Sequence, residues 1–209
     1  MDVHIHLLKA TGRLDTFAES LLAVSHTAIS KITQLLPVKD VDIVLFDNPK
    51  QTIDHLGIGG YTPSQHLIYI SLNPKKEKFS LHIENDLPRT LAHELHHALR
   101  WRNPGYGETL LEAMVSEGLA DHFVLEVAKG APDLWDTALA EDQKRKYFEM
   151  AAEEYFNKAY NHRKWFFGSS TIPHWTGYTL GFSLISQYLK NHPDKKASTL
   201  YSEKAGAFI

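Results

Sequence analysis

Strand-like and helix-like patterns are segregated along this chain of 209 residues, and that order limits the architectures open to it. Every β-like run lies before residue 73. Residues 3–8 alternate, with Val3, Ile5 and Leu7 on one side and His4 and His6 on the other, as a half-buried strand does. Residues 41–46 are nearly all apolar and read as a central strand. Residues 56–62 hold Gly57, Gly59 and Gly60, a turn or bulge in an edge strand. Residues 66–72 read as a strand ended by Asn73-Pro74. One helix falls in this part: Thr16 and Glu19 have capping-box spacing, Leu21, Val24, Ala28, Ile32 and Leu35 recur at helical spacing, and Pro37 closes the run.

Beyond the charged loop 75–78 the chain is helical. Asp86 can cap a helix over 87–102, with Pro88 in its first turn and Asn103-Pro104-Gly105 ending it. Thr109 and Glu112 form a second capping box, opening a helix to about 129 that Gly130 stops. Residues 141–160 are amphipathic, and 175–191 form the last helix. Strands first and helices after predict an α+β fold. A chain this long suits a single domain over 1–209, with a mainly sheet lobe (1–84) and a mainly helical lobe (85–209).

Composition narrows the function. Lys+Arg is 22 and Asp+Glu is 25, for a formal charge of −3, so the basic footprint of a nucleic-acid binder is missing. Residues 165–189 carry no charged side chain, but only 12 of the 25 are apolar and Pro173 and three glycines interrupt them. A spanning helix needs about 20 predominantly apolar residues, so no membrane partner is expected. The first ten residues lack the apolar core of a secretory signal, which points to the cytoplasm. Cysteine is absent while histidine numbers 13, so any metal must be held by imidazoles and carboxylates.

The histidine spacing is informative. His93-Glu94-Leu95-His96-His97 is an H-E-x-x-H motif on the helix over 87–102. Four residues advance about 400° and rise about 6 Å, which stacks His93 and His97 on one face. Two imidazoles so placed suit one Zn²⁺, while Glu94, about 100° round the helix, can reach a water without ligating the metal. A His-rich surface helix is the alternative, but the flanking Leu91, Ala92, Ala98 and Leu99 argue for an interior helix.

Catalytic zinc takes three protein ligands and keeps an open position. An H-x-x-G-x-x-H extension is excluded, because positions 100 and 103 are Arg100 and Asn103. The following helix offers Glu117 and Asp121, four residues apart among Met114, Val115, Leu119 and Ala120. Carboxylates in such company need a cation or donors. An antiparallel return through Pro104-Gly105 would bring Glu117 beside His93 and His97 as third ligand. Asp121 would then accept a hydrogen bond from the outer nitrogen of His93. Asp121 as the ligand in place of Glu117 is the variant.

The motif His93–His97, followed by Glu117-Gly118-Leu119-Ala120-Asp121, resembles the gluzincin arrangement of metalloproteases. More narrowly, the chain resembles a bacterial domain-of-unknown-function family of predicted zinc-dependent proteases, through residues 57–74, 90–100, 110–123 and 174–182. The resemblance implies a zincin-like fold: a small mixed sheet, an active-site helix, a glutamate helix and a helical C-terminal lobe.

Further candidates lie near residue 175. His174 and Tyr178 are four residues apart at a helix start, and either could steady a tetrahedral oxyanion. Gly177 and Gly181 have the spacing of a close helix contact. The glycine-rich edge strand could hold an extended peptide by main-chain hydrogen bonds. His96 should lie behind the ligand pair or at the surface, and His122 should face away from Glu117. Trp101, Trp135, Trp165 and Trp175 read as core. The resulting expectation is a zinc peptidase acting on a peptide or protein, with Glu94 as general base. A non-peptide amide hydrolase, or a binding module with a structural metal or none, are the alternatives.

Overall fold

The apolar run after Asp40 becomes the second strand of a four-stranded mixed sheet. The computed structural model describes residues 3–128 and 130–209. It divides into two units, Met1–Arg102 and Asn103–Ile209. In the first, β1 (Val3–Leu7), β2 (Val41–Asp47), β3 (Ile58–Ser64) and β4 (Leu67–Leu72) lie in the order β1-β2-β4-β3. β1, β2 and β4 are parallel neighbours, while β3 joins β4 as an antiparallel hairpin and forms an edge. The edge position is as expected, but the register shift of β3 against β4 falls between Tyr61 and Ser64, past Gly59 and Gly60, which pair regularly.

Ile43, Leu45, Ile68 and Ile70 are fully buried. Against this sheet pack α1 (Ala18–Ile32), which meets β1, and α3 (Leu87–Arg102), which meets β3 and β4. The parallel β1–α1–β2 crossover follows from strand pairing, since parallel neighbours need a long connection.

Three local expectations change. Thr16 caps nothing, because residues 15–17 already turn as a 3₁₀ helix and α1 starts at Ala18 without a side-chain cap. The Phe17 N–H is bonded to the Leu14 carbonyl at 3.0 Å, so the turn supplies its own acceptors. Leu35, past the end of α1, is exposed, and Leu36 is buried instead. The helical part begins with a short helix of its own, α2 (Phe79–Asn85), between the charged loop and α3. Seven residues show little period, but Phe79 and Ile83 are buried four apart, and Phe79 meets Phe17 edge-on at 5.1 Å. Asp86 turns its carboxylate to His82 of α2 at 2.7 Å rather than capping α3.

The second unit is built on α4 (Leu110–Ala128), which is buried on nearly every side as far as Val124. Its expected capping box is present: the Thr109 N–H donates to Glu112 Oε2 at 3.0 Å, and the Glu112 N–H donates to Thr109 Oγ1 at 3.4 Å. α7 (Thr176–Asn191) packs along α4. A Cβ on Gly118 would lie 2.3 Å from the Gly181 carbonyl oxygen, and one on Gly181 would lie 2.2 Å from that of Met114. Gly181 therefore serves the close approach expected of it, while Gly177 makes room for the Phe166 ring.

α5 (Glu141–Ala152) stops eight residues short of the expected end at 160. Two asparagines divert the chain. Asn157 Oδ1 accepts from the Ala159 N–H at 2.8 Å, and Asn161 caps α6 (His162–Phe166) by accepting from the Lys164 N–H at 3.0 Å. Such side chains offer the backbone an alternative to continued helix. Leu110, Met114, Trp165, Phe166 and Leu180 are central to this unit's core.

The division after Arg102 groups α3 with the sheet, whereas the sequence reading placed residues 85–102 with the later helices. The described residues contain no helix long and apolar enough to cross a membrane. The uncharged stretch 165–189 is split between α6, a connecting turn and α7.

Candidate metal centre

α3 delivers the histidine pair as its spacing predicts. His93 Nε2 and His97 Nε2 are 2.9 Å apart. The rings meet edge to face, 88° between planes, with centroids 4.5 Å apart. His97 is buried, and His93 is partly open.

Glu94, 6% exposed, faces β3. Thr62 Oγ1 donates to Glu94 Oε2 at 2.6 Å. A Cβ on Gly60 would lie 2.4 Å from Glu94 Oε1, so only glycine leaves room for this carboxylate. Two helical turns on, Trp101 Nε1 donates to the Thr62 carbonyl at 2.9 Å. Thr62 thus holds α3 at two points seven residues apart, which a helix places on one side. Trp101 is 39% exposed and serves this bond rather than the core.

On α4, Glu117 is 5% exposed. The Tyr106 hydroxyl donates to Glu117 Oε1. The neighbouring Ser116 Oγ donates to the Tyr106 carbonyl at 2.5 Å. Sequence reasoning passed over Tyr106. The available signal was Gly105-Tyr106-Gly107, whose glycines have φ of 108° and 127° and let the turn present the ring. Burial, then the Glu117 charge, hold the Tyr106 phenol well above its ordinary pKa, with Tyr178 and Tyr160 adding to the effect. Tyr160, bonded to His162 Nδ1 at 3.0 Å, is pushed up to about 12 by burial and by Glu117 and Glu112. Burial lowers the pKa of His162, and Glu117 partly offsets this.

One ring nitrogen each from His93 and His97 and one carboxylate oxygen of Glu117 lie within 4.8 Å of one another, a group that could hold a metal ion. The donor chemistry fits zinc. Two nitrogens and one oxygen make a mixed set of the type zinc accepts. Two imidazole nitrogens aimed at each other and a buried carboxylate are also arrangements that a cation would relieve.

The remaining candidates have these surroundings. Asp121, 1% exposed, accepts from Trp135 Nε1 at 3.3 Å and lies against the carboxyl of Asp136. Burial foremost, with the Asp121 charge next, raises the Asp136 pKa to about 10. Tyr178 is partly buried, its ring edge-on to Phe166 at 5.1 Å. His174 is exposed, its ring tilted over Trp175 at 4.5 Å. Trp175 has φ of 66° and α7 begins only at Thr176, so His174 and Tyr178 do not share the helical face expected from their spacing.

His96 is fully buried. His122 points to α7, within 2.9 Å of Ser186 Oγ and stacked on Phe182. His6 pairs with Asp42 at 2.6 Å on the exposed side of β1 and β2.

A family model described as predicted Zn-dependent protease (DUF2268) matches residues 22–209. The chain belongs to this family. The match runs from within α1 to the last residue and takes in the H-E-x-x-H helix and Glu117, the segments on which the resemblance was read. Comparison with curated proteins gave no significant match. Comparison with solved structures gave none either.

Proposed function

We propose that this chain is a zinc-dependent peptidase of gluzincin type with a zincin-like fold. In this reading His93, His97 and Glu117 hold the ion and Glu94 is the general base. The observation that carries it is the grouping of those three donor atoms within 4.8 Å. Zinc held there would supply polarisation of the scissile carbonyl and acidification of the attacking water.

The chain's own groups do the rest. Glu94 takes a proton from the water and returns it to the leaving nitrogen. Its Oε2 is occupied by the Thr62 hydroxyl, which fixes the carboxylate and leaves Oε1 for the proton. β3 is an edge strand, and Tyr61, next to Gly60, is 64% exposed. An extended substrate chain would add to this edge by main-chain hydrogen bonds, which favours a peptide over a small amide. Tyr178 or His174 would steady the oxyanion, and Asp121 would orient His93.

The test is a pair of variants. Glu94→Gln should keep stoichiometric zinc and lose about 10²–10⁴-fold in peptide turnover, the usual contribution of a general base. Glu117→Ala should lose zinc. Undiminished turnover in Glu94→Gln, or wild-type protein that takes up no zinc, would sink the proposal.

A further inference from the structure

The partly buried tyrosine beside Glu117 has no part in the mechanism above. We propose that Tyr106 is a positioning residue for the metal: it holds Glu117 in its ligating conformation before the ion arrives. The inference rests on Glu117 being a ligand.

Glutamate is a flexible ligand with two equivalent oxygens, and fixing its side chain costs rotamer freedom. In this protein much of that freedom is already removed. The Tyr106 hydroxyl donates to Oε1, which restrains the carboxylate at one of its two oxygens. Tyr106 is in turn gripped at its other end, where Ser116 Oγ donates to its carbonyl at 2.5 Å. Two successive residues of α4 therefore clasp one tyrosine, one by its main chain and one by its ring oxygen.

The turn is shaped for this. Gly105 and Gly107 both have positive φ, and a Cβ on Gly107 would lie 2.3 Å from Glu112 Cβ. Glu112 is the capping-box glutamate, with Oε2 accepting from the Glu108 and Thr109 N–H groups and from Thr109 Oγ1. The cap that starts α4 and the turn that presents Tyr106 are thus packed as one piece. Outer hydrogen-bond partners of metal ligands typically change affinity by about 10–100-fold when removed.

The test measures zinc affinity by competition with a chromophoric chelator, on the full chain, for wild type, Tyr106→Phe, Ser116→Ala and Glu117→Ala. Melting of each metal-free protein is followed in parallel. Tyr106→Phe should weaken zinc binding at least about 10-fold, with the metal-free melting temperature little changed because the ring remains. Ser116→Ala should weaken it in the same sense but less. The visible spectrum of the cobalt-substituted Tyr106→Phe protein should differ from wild type, reporting a changed carboxylate at the ion.

Wild-type zinc affinity in both Tyr106→Phe and Ser116→Ala would overturn the inference. Wild-type affinity in Glu117→Ala would instead remove the ligand set proposed above, so the two failures are told apart.

Discussion

Gly60 shows how narrowly one residue can constrain chemistry. Its missing Cβ is the space that the Glu94 carboxylate fills, with Oε1, Cγ and Cδ all within 2.7 Å of where that atom would stand. Gly60→Ala should push Glu94 off Thr62, lowering peptide turnover about 10-fold or more through misplacement alone. Zinc content should stay unchanged, which elemental analysis of the purified variant would check. A second buried carboxyl makes a prediction about pH. Asp136 has its folded pKa raised to about 10 beside Asp121. A raised folded pKa means that the native state holds a proton that the unfolded chain has released. The associated stability is complete below the unfolded pKa of about 3.9 and is lost as pH rises toward 10. Asp136→Asn removes that loss. At pH 8–9 it should melt at least about 2 °C above wild type, the size of shift that about 1 kcal/mol gives in a chain of this length. A thermal melt series from pH 5 to 9 reads it.

Element-scale constraints are strictest where α4 meets α7. Gly118 and Gly181 each face the other helix's backbone, which cannot swing aside as a side chain can. Gly118→Ala should therefore cost about 1–3 kcal/mol, the usual penalty of overpacking, and lower the melting temperature accordingly. Thr109→Ala should cost about 1 kcal/mol, because it removes the donor and acceptor of a formed capping box. These elements also show what the sequence could disclose. The strands, α3, α4 and α7 were readable because each has a long period or an unambiguous stop, such as Asn103-Pro104 and Gly130. The histidine pair was readable because a four-residue spacing on a helix leaves little geometric freedom. Thr16 misled because it lies inside a 3₁₀ turn, and α5 ended early because Asn157 and Asn161 offered the backbone other partners. Tyr106 lies in a turn, where no period marks a side chain as inward, and only its flanking glycines gave a sign. The shared helical face of His174 and Tyr178 is lost through a single torsion, the positive φ of Trp175.

Across the whole molecule, metal binding should appear as stability. A ligand held only by the native state, at 100 times its dissociation constant, adds about 2.7 kcal/mol. Chelation should then lower the melting temperature by roughly 5–10 °C in a chain of this length, and Glu117→Ala should melt at the chelated temperature with or without zinc. Scanning calorimetry with and without a chelator is the measurement. The partition at Arg102 has a separate consequence. Each segment is near 100 residues and encloses its own apolar interior, a size at which independent folding is common. Asn103 and Pro104 lie exposed at the seam. A single proteolytic nick after Arg102 would then release no unravelled chain: both pieces should keep slowly exchanging amides, one in its strands and the other along the buried helix that begins at Leu110.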